Sequence, residues 1–310
     1  MKIGKYEVSN FSNPYVIAEI GANHNGDIEL AKKLIDEAKE AGAHAVKFQS
    51  WTKDTIFSKQ VYDENFFLAD DYRDRTDYTL EQIVEEFSVS EQELFQLNEY
   101  CKEVGVVFSS TPFSEKEVDF LTDTIKVDFL KVASMDCNNY PLLEYMGKKG
   151  LPIILSTGLS NLEEIDKAVR TIEATGNTNI MILHCVANYP PEDKNVNLRN
   201  IDMLRDNFPE YPVGFSDHSI GTSIPLAAIA RGACIIEKHF TLDKEMFGWD
   251  HKVSATKEEL KVICEDGNRI VYGFTSFGLE AGLNKFTIGT GINFTPSYMD
   301  EFLLFKNASA

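Results

Sequence analysis

Positive charge is scarce in this chain: 30 Lys and Arg stand against 49 Asp and Glu, a formal net charge of -19 over 310 residues. That balance argues against a nucleic-acid backbone or an anionic membrane as the main partner. It still allows an anionic small substrate wherever lysines cluster locally. Long apolar runs are missing as well, and no stretch reaches the length of a membrane span. The first ten residues, MKIGKYEVSN, show neither a sustained apolar run nor a small-residue cleavage pattern, so the expectation is a soluble, cytoplasmic protein. The five cysteines, Cys101, Cys137, Cys185, Cys234 and Cys264, form no close metal-binding pair and no disulfide-like spacing, and are read as buried small hydrophobes. No GxxxxGK[ST] phosphate loop occurs, which argues against nucleotide hydrolysis of that kind.

What is present is a repeated alternation. With 43% hydrophobic content the chain can bury a full core, and its signals fit one large domain. Eight short apolar stretches alternate with amphipathic ones: residues 15–21, 45–50, 105–112, 127–134, 152–158, 179–186, 211–216 and 233–240. Continuous apolar runs are what strands covered by helices on their outer face require. Nearly all of them end in ionisable or hydroxyl residues: Glu19; Lys47 with Gln49; Ser109 to Thr111; Lys131 with Ser134; Ser156 with Thr157; His184; Ser216 to His218; Glu237 with His239. An eight-stranded (β/α)8 (TIM) barrel places its active site in this way, on strand ends facing one mouth. A doubly wound open sheet predicts similar local patterns, and the regular spread of polar strand ends favours closure. The boundaries expected are a catalytic barrel over 1–272, with a long excursion over 51–87 that ends in a short helix, and a C-terminal extension over 273–310 that packs on the barrel or mediates association. Helices are expected from Ile28 to Ala41 and from near Ser114, Tyr140 and Asn161, the last capped by Ser160 ahead of Glu163 and Glu164.

Among the polar strand ends, SDHS (216–219) followed by EKHF (237–240) is the most suggestive. His218 and His239 follow successive strands, which brings two imidazoles toward one divalent ion, with Glu19 or a nearby carboxylate and water completing the shell. The alternative is that one histidine holds its neighbours by hydrogen bonds. A metal there would polarise a carbonyl while Glu19 or Glu237 handles a proton. Glu237 with Lys238 also reads as a structural ion pair. Lys47, Lys131, Thr111, Ser134, Ser156 and Ser216 offer the donors that a phosphate and a carboxylate need, and Lys238 falls near the same mouth. A desolvated Lys131 also suits a Schiff-base aldolase.

The ordered set IAEIGANHNGD (17–27), VKFQ (46–49), STPFS (110–114), KVASMDCNNYPLL (131–143), STG (156–158), GFSDHS (214–219) and IEKHFTLD (236–243) resembles the sialic acid synthase family, which includes synthases of legionaminic and pseudaminic acids. The resemblance covers residues 14 to 265. It implies a metal-dependent condensation of phosphoenolpyruvate with the open-chain aldehyde of an N-acetylated aminosugar, such as N-acetylmannosamine or a 6-deoxy diacetamido hexose, with phosphate leaving through C–O cleavage. It further implies that His218 and His239 bind Mn2+, with Mg2+ or Co2+ as alternatives, and that Glu19 is the acid/base. Lys47, Thr111, Lys131, Ser134, Ser156 and Ser216 would surround phosphoenolpyruvate. Gln49, Asp136, Tyr189, Glu237 and Asp250 would face the acceptor sugar. A homodimer is the family expectation.

The sequence departs from the family pattern in places. Many relatives have glutamate where Asp136 stands, Ala187 replaces a polar residue of some, and EMFGWDHKVSA brings Trp249 beside Asp250. The tail after the barrel is too short for the family's usual antifreeze-like domain and has no arginine after Arg269, so the expected fold lacks that domain. The alternatives kept open are a related phosphoenolpyruvate-dependent 3-deoxy-ulosonate synthase, the Schiff-base aldolase, and a non-catalytic sugar-binding protein.

Overall fold

The computed structural model describes residues 1–65, 77–275, 286–288 and 292–294. A two-residue pair, β1 (Lys2–Ile3) and β2 (Tyr6–Glu7), forms a small antiparallel hairpin before the main sheet. Eight parallel strands follow: β3 (Tyr15–Gly21), β4 (Ala45–Ser50), β5 (Val107–Pro112), β6 (Leu130–Val132), β7 (Ile153–Ser156), β8 (Ile180–Cys185), β9 (Val213–Asp217) and β10 (Ile235–His239). Their order is β5-β4-β3-β10-β9-β8-β7-β6. The two ends of that order, β5 and β6, lie against each other, so the sheet curls into a (β/α)8 barrel.

Helices supply the crossovers that parallel strands require. α1 (Ile28–Glu40) follows β3, and the excursion after β4 carries α2 (Lys53–Ile56), α3 (Lys59–Glu64) and α4 (Leu80–Phe87) before α5 (Glu91–Val104) returns to β5. α6 (Glu115–Asp119), α7 (Tyr140–Lys148), α8 (Leu162–Glu173), α9 (Arg199–Asn207), α10 (Ser223–Ala230) and α11 (Lys257–Thr275) alternate with the remaining strands. Local chemistry sets their starts. Asp27 accepts from the N–H groups of Glu29 and Leu30 to open α1. Asn161 and Glu164 form a reciprocal capping box at α8, so the cap is Asn161 rather than the expected Ser160. No described helix is long and apolar enough to cross a membrane. The expected 273–310 extension lies mostly outside the described residues, which hold from it the end of α11 and the antiparallel pair β11 (Phe286–Ile288) and β12 (Ile292–Phe294).

Strand alternation sorts side chains into two cores. Tyr15, Ile17, Ala45, Phe129, Ile154, Met181, Leu183 and Ile235 fill the barrel interior, where Ile3 and Val8 of the N-terminal segment join them. Val16, Ala18, Ile20, Val46 and Phe48 face the helix layer, against Leu34, Ile35 and Leu97. Full burial of such a side chain contributes roughly 1.5–3 kcal/mol. The interior is tight at Gly214, where an added Cβ would stand 2.5 Å from Leu183 Cδ2 and 2.6 Å from the Ile235 carbonyl oxygen.

The same parity relocates two residues expected near the mouth. Lys238 lies between inward-facing Glu237 and His239, so it points into the helix layer. There it is fully buried, donates to Asp217 Oδ2 at 2.8 Å and donates to the Ser219 carbonyl. Asp217 Oδ1 accepts from Ser219 N at 2.8 Å. His184 also faces outward, bonded to the Val196 carbonyl at 2.6 Å and stacked on Phe215. Lys238 therefore ties β9 to β10 and carries no substrate. Lys238→Met is expected to cost about 3–5 kcal/mol, because it strands Asp217 as a buried unpaired anion. The pair change Lys238→Met with Asp217→Leu should recover much of that loss; urea midpoints of the two variants beside the unaltered protein measure both effects.

Candidate active site

Above the apolar interior, the next inward positions are polar. Glu19, Lys47, Gln49, Thr111, Lys131, Ser134, Ser156, Ser216, His218, Glu237 and His239 all line one cavity of about 860 Å³ at the C-terminal ends of the strands, together with Tyr189 and Asp250 from the loops. The sequence expectation for Asp136 differs. Asp136 is not among the cavity-lining residues; it sits in a short 3-10 turn and accepts from Asn139 Nδ2 at 3.0 Å, where it helps to shape the start of α7.

The cavity floor is a compact charge network. Lys47 Nζ lies 2.5 Å from Glu19 Oε2, donates to Thr111 Oγ1 at 2.8 Å and is 4.0 Å from Glu237 Oε2. Lys131 Nζ donates to Ser156 Oγ at 2.7 Å and to its neighbour's carbonyl, Val132 O, at 2.8 Å, and lies 3.6 Å from Glu237 Oε1. Ser216 donates to Glu237 Oε1 at 2.8 Å, and the Gly158 N–H donates to Ser134 Oγ at 2.9 Å. Two buried ammonium groups and four hydroxyls thus converge on one small volume, the chemistry that anionic oxygens need.

The two carboxylates are driven apart. Burial raises the pKa of Glu19 to about 7, more than Lys47 can offset, and Glu237 pushes it the same way. Burial also acts on Glu237, but Lys131 and Lys47 together hold its pKa below the usual value. Near neutral pH one carboxyl exchanges protons while the other stays anionic, which marks Glu19 as the acid/base candidate. Gln49 Nε2 donates to Glu19 Oε1 at 2.9 Å, and Trp51 Nε1 donates to Gln49 Oε1 at 2.8 Å, so Glu19 is oriented from both sides. Gly21, with φ of +53°, lets the chain turn directly above this carboxylate; a Cβ there would be 3.0 Å from Glu19 Oε1.

His218 and His239 sit side by side, with ring centroids 5.3 Å apart. The Val186 carbonyl, an acceptor only, lies 2.8 Å from His218 Nδ1, which places a proton on that nitrogen; burial acts to lower the His218 pKa, but Cys185 and this bond raise it to about 9, so Nε2 opens to another partner only when the imidazolium gives up its second proton. Burial holds the pKa of His239 well below the usual value, with His218 and Lys47 adding to the effect, so its ring is neutral. His239 Nδ1 is buried with no hydrogen-bond partner. A neutral imidazole with an orphaned buried nitrogen beside a second imidazole fits a divalent ion. Among the described residues no group of three His, Cys, Asp or Glu closes around such an ion, so water or substrate would supply the other ligands, as a catalytic metal requires. Tyr189 stacks on His218 at 4.0 Å. Asp250 Oδ2 is 3.7 Å from His239 Nδ1, and burial raises the pKa of that carboxyl to about 6 against the pull of His218.

The loop bearing Asp250 is tied to the loop after β3. Asn23 donates to the Phe240 carbonyl at 2.9 Å and to Ser254 Oγ at 2.8 Å, and accepts from Asp250 N at 3.3 Å. Asn25 donates to the Phe247 carbonyl at 2.9 Å and lies 3.1 Å from His251 Nε2. The NHN segment of the first loop is accordingly a brace for the last loop, a role its sequence position alone does not announce.

Sequence reading missed the apolar half of the cavity: Ile56, Phe57, Phe113, Met135, Leu159 and Ile220. The available signal was position, since Phe113 and Met135 follow polar strand ends within one or two residues.

Residues 34–274 match the NeuB family. The chain is 41% identical over 255 residues to the N,N'-diacetyllegionaminic acid synthase of Legionella pneumophila, covering 81% of this chain and 70% of that protein. It is 44% identical over 262 residues to the uncharacterized protein MJ1065 of Methanocaldococcus jannaschii, covering 84% and 72%. A crystal structure of N-acetylneuraminic acid (sialic acid) synthetase from Leptospira borgpetersenii serovar Hardjo-bovis, in complex with citrate, superposes with a TM-score of 0.81 at 32% identity, covering 98% of this chain and 95% of that one.

Proposed function

The chain belongs to the NeuB family, and from that premise we propose that it condenses phosphoenolpyruvate with the open-chain aldehyde of an N-acetylated aminosugar to give a nonulosonic acid and phosphate. The observation that carries this reading is the meeting, in one cavity, of the Lys47 and Lys131 ammonium groups, the Glu19 and Glu237 pair, and the His218 and His239 rings.

Phosphoenolpyruvate presents a phosphate and a carboxylate, and Lys47, Lys131, Thr111, Ser134, Ser156 and Ser216 provide donors for both. The aldehyde belongs on the histidine side, with Gln49, Tyr189, Glu237 and Asp250 around the sugar hydroxyls. C3 of the enol attacks the aldehyde carbon, and its π electrons form the new C–C bond. Water adds at C2, and the C2–O bond to phosphate then breaks with its electron pair leaving on phosphate. Glu19, ionising near neutrality, is placed to take a proton from that water or to return one to the new alkoxide. Glu237, kept anionic by two lysines, offsets positive charge once phosphate has left. His218 and His239 would hold a divalent ion such as Mn2+, which would supply Lewis acidity at the aldehyde oxygen.

The bond that breaks is the most specific feature of this chemistry. Phosphoenolpyruvate carrying a heavy oxygen isotope in its C2–O–P bridge is expected to deliver the label wholly to released phosphate. Recovery of the label in the sugar acid instead would mean P–O cleavage and sink the reading.

A further inference from the structure

The loop after β10 leaves the barrel at Phe240 and returns at Ala255, and these two residues pair at its base. There Thr241 N donates to the Ala255 carbonyl at 3.0 Å, and Ala255 N donates to the His239 carbonyl at 2.7 Å. Asp250, late in the loop, lines the cavity with its Oδ2 3.7 Å from His239 Nδ1. Behind it sits Asn23, fully buried. One Nδ2 proton of Asn23 goes to the Phe240 carbonyl and the other to Ser254 Oγ, while Oδ1 accepts from Asp250 N. Ser254 Oγ donates its single proton to the Asp250 carbonyl at 2.7 Å, so toward Asn23 it acts as the acceptor. The bonds close a circuit from Asn23 to Ser254 to Asp250 and back to Asn23. The opposite orientation of the Asn23 amide would set Oδ1 against the Phe240 carbonyl and an N–H against the Asp250 N–H, so the circuit has one arrangement.

Neither Asn23 nor Ser254 is among the cavity-lining residues. A brace serving the fold alone would need only to hold the base of the loop, which the Phe240 and Ala255 pairing already does. The circuit instead grips both backbone groups of Asp250, the N–H from Asn23 and the carbonyl from Ser254, and so fixes the point from which its carboxyl projects. We propose that Asn23 and Ser254 are positioning residues for the acceptor half of the reaction, setting where the Asp250 carboxyl stands and thereby how tightly the aminosugar is held. This inference rests on the condensation reading given above. Outer partners that orient a contacting group are worth about 10–100-fold, and a misplacement of about 1 Å costs on the order of 100-fold.

The test is phosphate release from phosphoenolpyruvate, with Mn2+ and N-acetylmannosamine or a 6-deoxy diacetamido hexose, each substrate being varied in turn. Ser254→Ala is expected to raise KM for the aminosugar about tenfold, while KM for phosphoenolpyruvate stays within about twofold. Asp250→Ala alone should raise the same aminosugar constant. In the Asp250→Ala background, Ser254→Ala should add less than about twofold, because the circuit then has no carboxyl to place. An aminosugar KM unmoved by either single change, or a loss from Ser254→Ala that is as large with Asp250→Ala as without it, would overturn the positioning role and leave the condensation standing. No release by the unaltered protein with any of these sugars overturns both. Should Ser254→Ala fail to fold, Ser254→Cys, close in volume and a weak hydrogen-bonding group, carries the same comparison.

Discussion

Lys131→Met is expected to lower kcat/KM for phosphoenolpyruvate by about a thousandfold, mostly through a higher KM. The ammonium is 2.7 Å from Ser156 Oγ and 3.6 Å from Glu237 Oε1, so the change removes a donor to substrate and also leaves a buried carboxylate short of its main cation. Breaking one partner of a buried charge pair costs about 3–5 kcal/mol, and about 1.4 kcal/mol is tenfold. Lys131 is the strongest influence holding the pKa of Glu237 down, so that pKa should rise in the variant and the pH profile should lose activity first on its acid side. Lys131→Arg should not restore activity, since a planar fork does not occupy the place of a compact ammonium. Steady-state kinetics with phosphoenolpyruvate varied, beside circular dichroism to verify folding, measures this. A KM unchanged within twofold would remove Lys131 from the anion site.

Glu19→Gln is the second large effect. Positioned general acid/base groups contribute about 10²–10⁴ in rate, and the loss should fall on kcat, with KM for phosphoenolpyruvate equal or lower because a negative charge beside the anion site has gone. The pKa of Glu19 stands raised from 4.5 to about 7, so a limb of the wild-type kcat/KM profile centred near pH 7 should be absent from the variant. Stability follows with a defined sign. The native fold disfavours the Glu19 anion, so wild-type protein gains from the protonated form below pH 4.5 and loses that margin as pH rises through about 7. The variant should show a flatter dependence of Tm on pH in that window. A variant that keeps the limb near pH 7 would assign that limb to another group.

All eight barrel strands were legible, because a strand covered on both faces reads as a continuous apolar run and its C-terminal end announces itself by polar residues. The runs ending at Glu19, Lys47, Ser156 and Glu237 were placed in this way, and those side chains do meet. Two-residue alternation carried further information about direction. Lys238 and His184 were assigned to the mouth by their nearness in sequence, whereas the parity set by Ile235 and Glu237, and by Leu183 and Cys185, sends both outward. The N-terminal hairpin was illegible because strands of two residues carry no period. The apolar half of the cavity was also hidden: Trp51, Ile56, Phe57 and Phe113 come from the segments after β4 and β5, and only the closed barrel brings them together. Asp136 shows the converse, a residue inside a family-like motif whose carboxylate accepts from Asn139 at the start of α7 and does not line the cavity.

In the proposed reaction the lysine, carboxylate and histidine groups act together on phosphoenolpyruvate and an aminosugar. The most direct measurement is inorganic phosphate release by the purified protein with phosphoenolpyruvate, an N-acetylated aminosugar and Mn2+, with omission of each component in turn and mass detection of the product. Release should need all three, in one-to-one amount with a sugar acid that has gained the three carbons of pyruvate. Release that continues without the sugar, or none from folded, metal-loaded protein across N-acetylmannosamine and the 6-deoxy diacetamido hexoses, would contradict it.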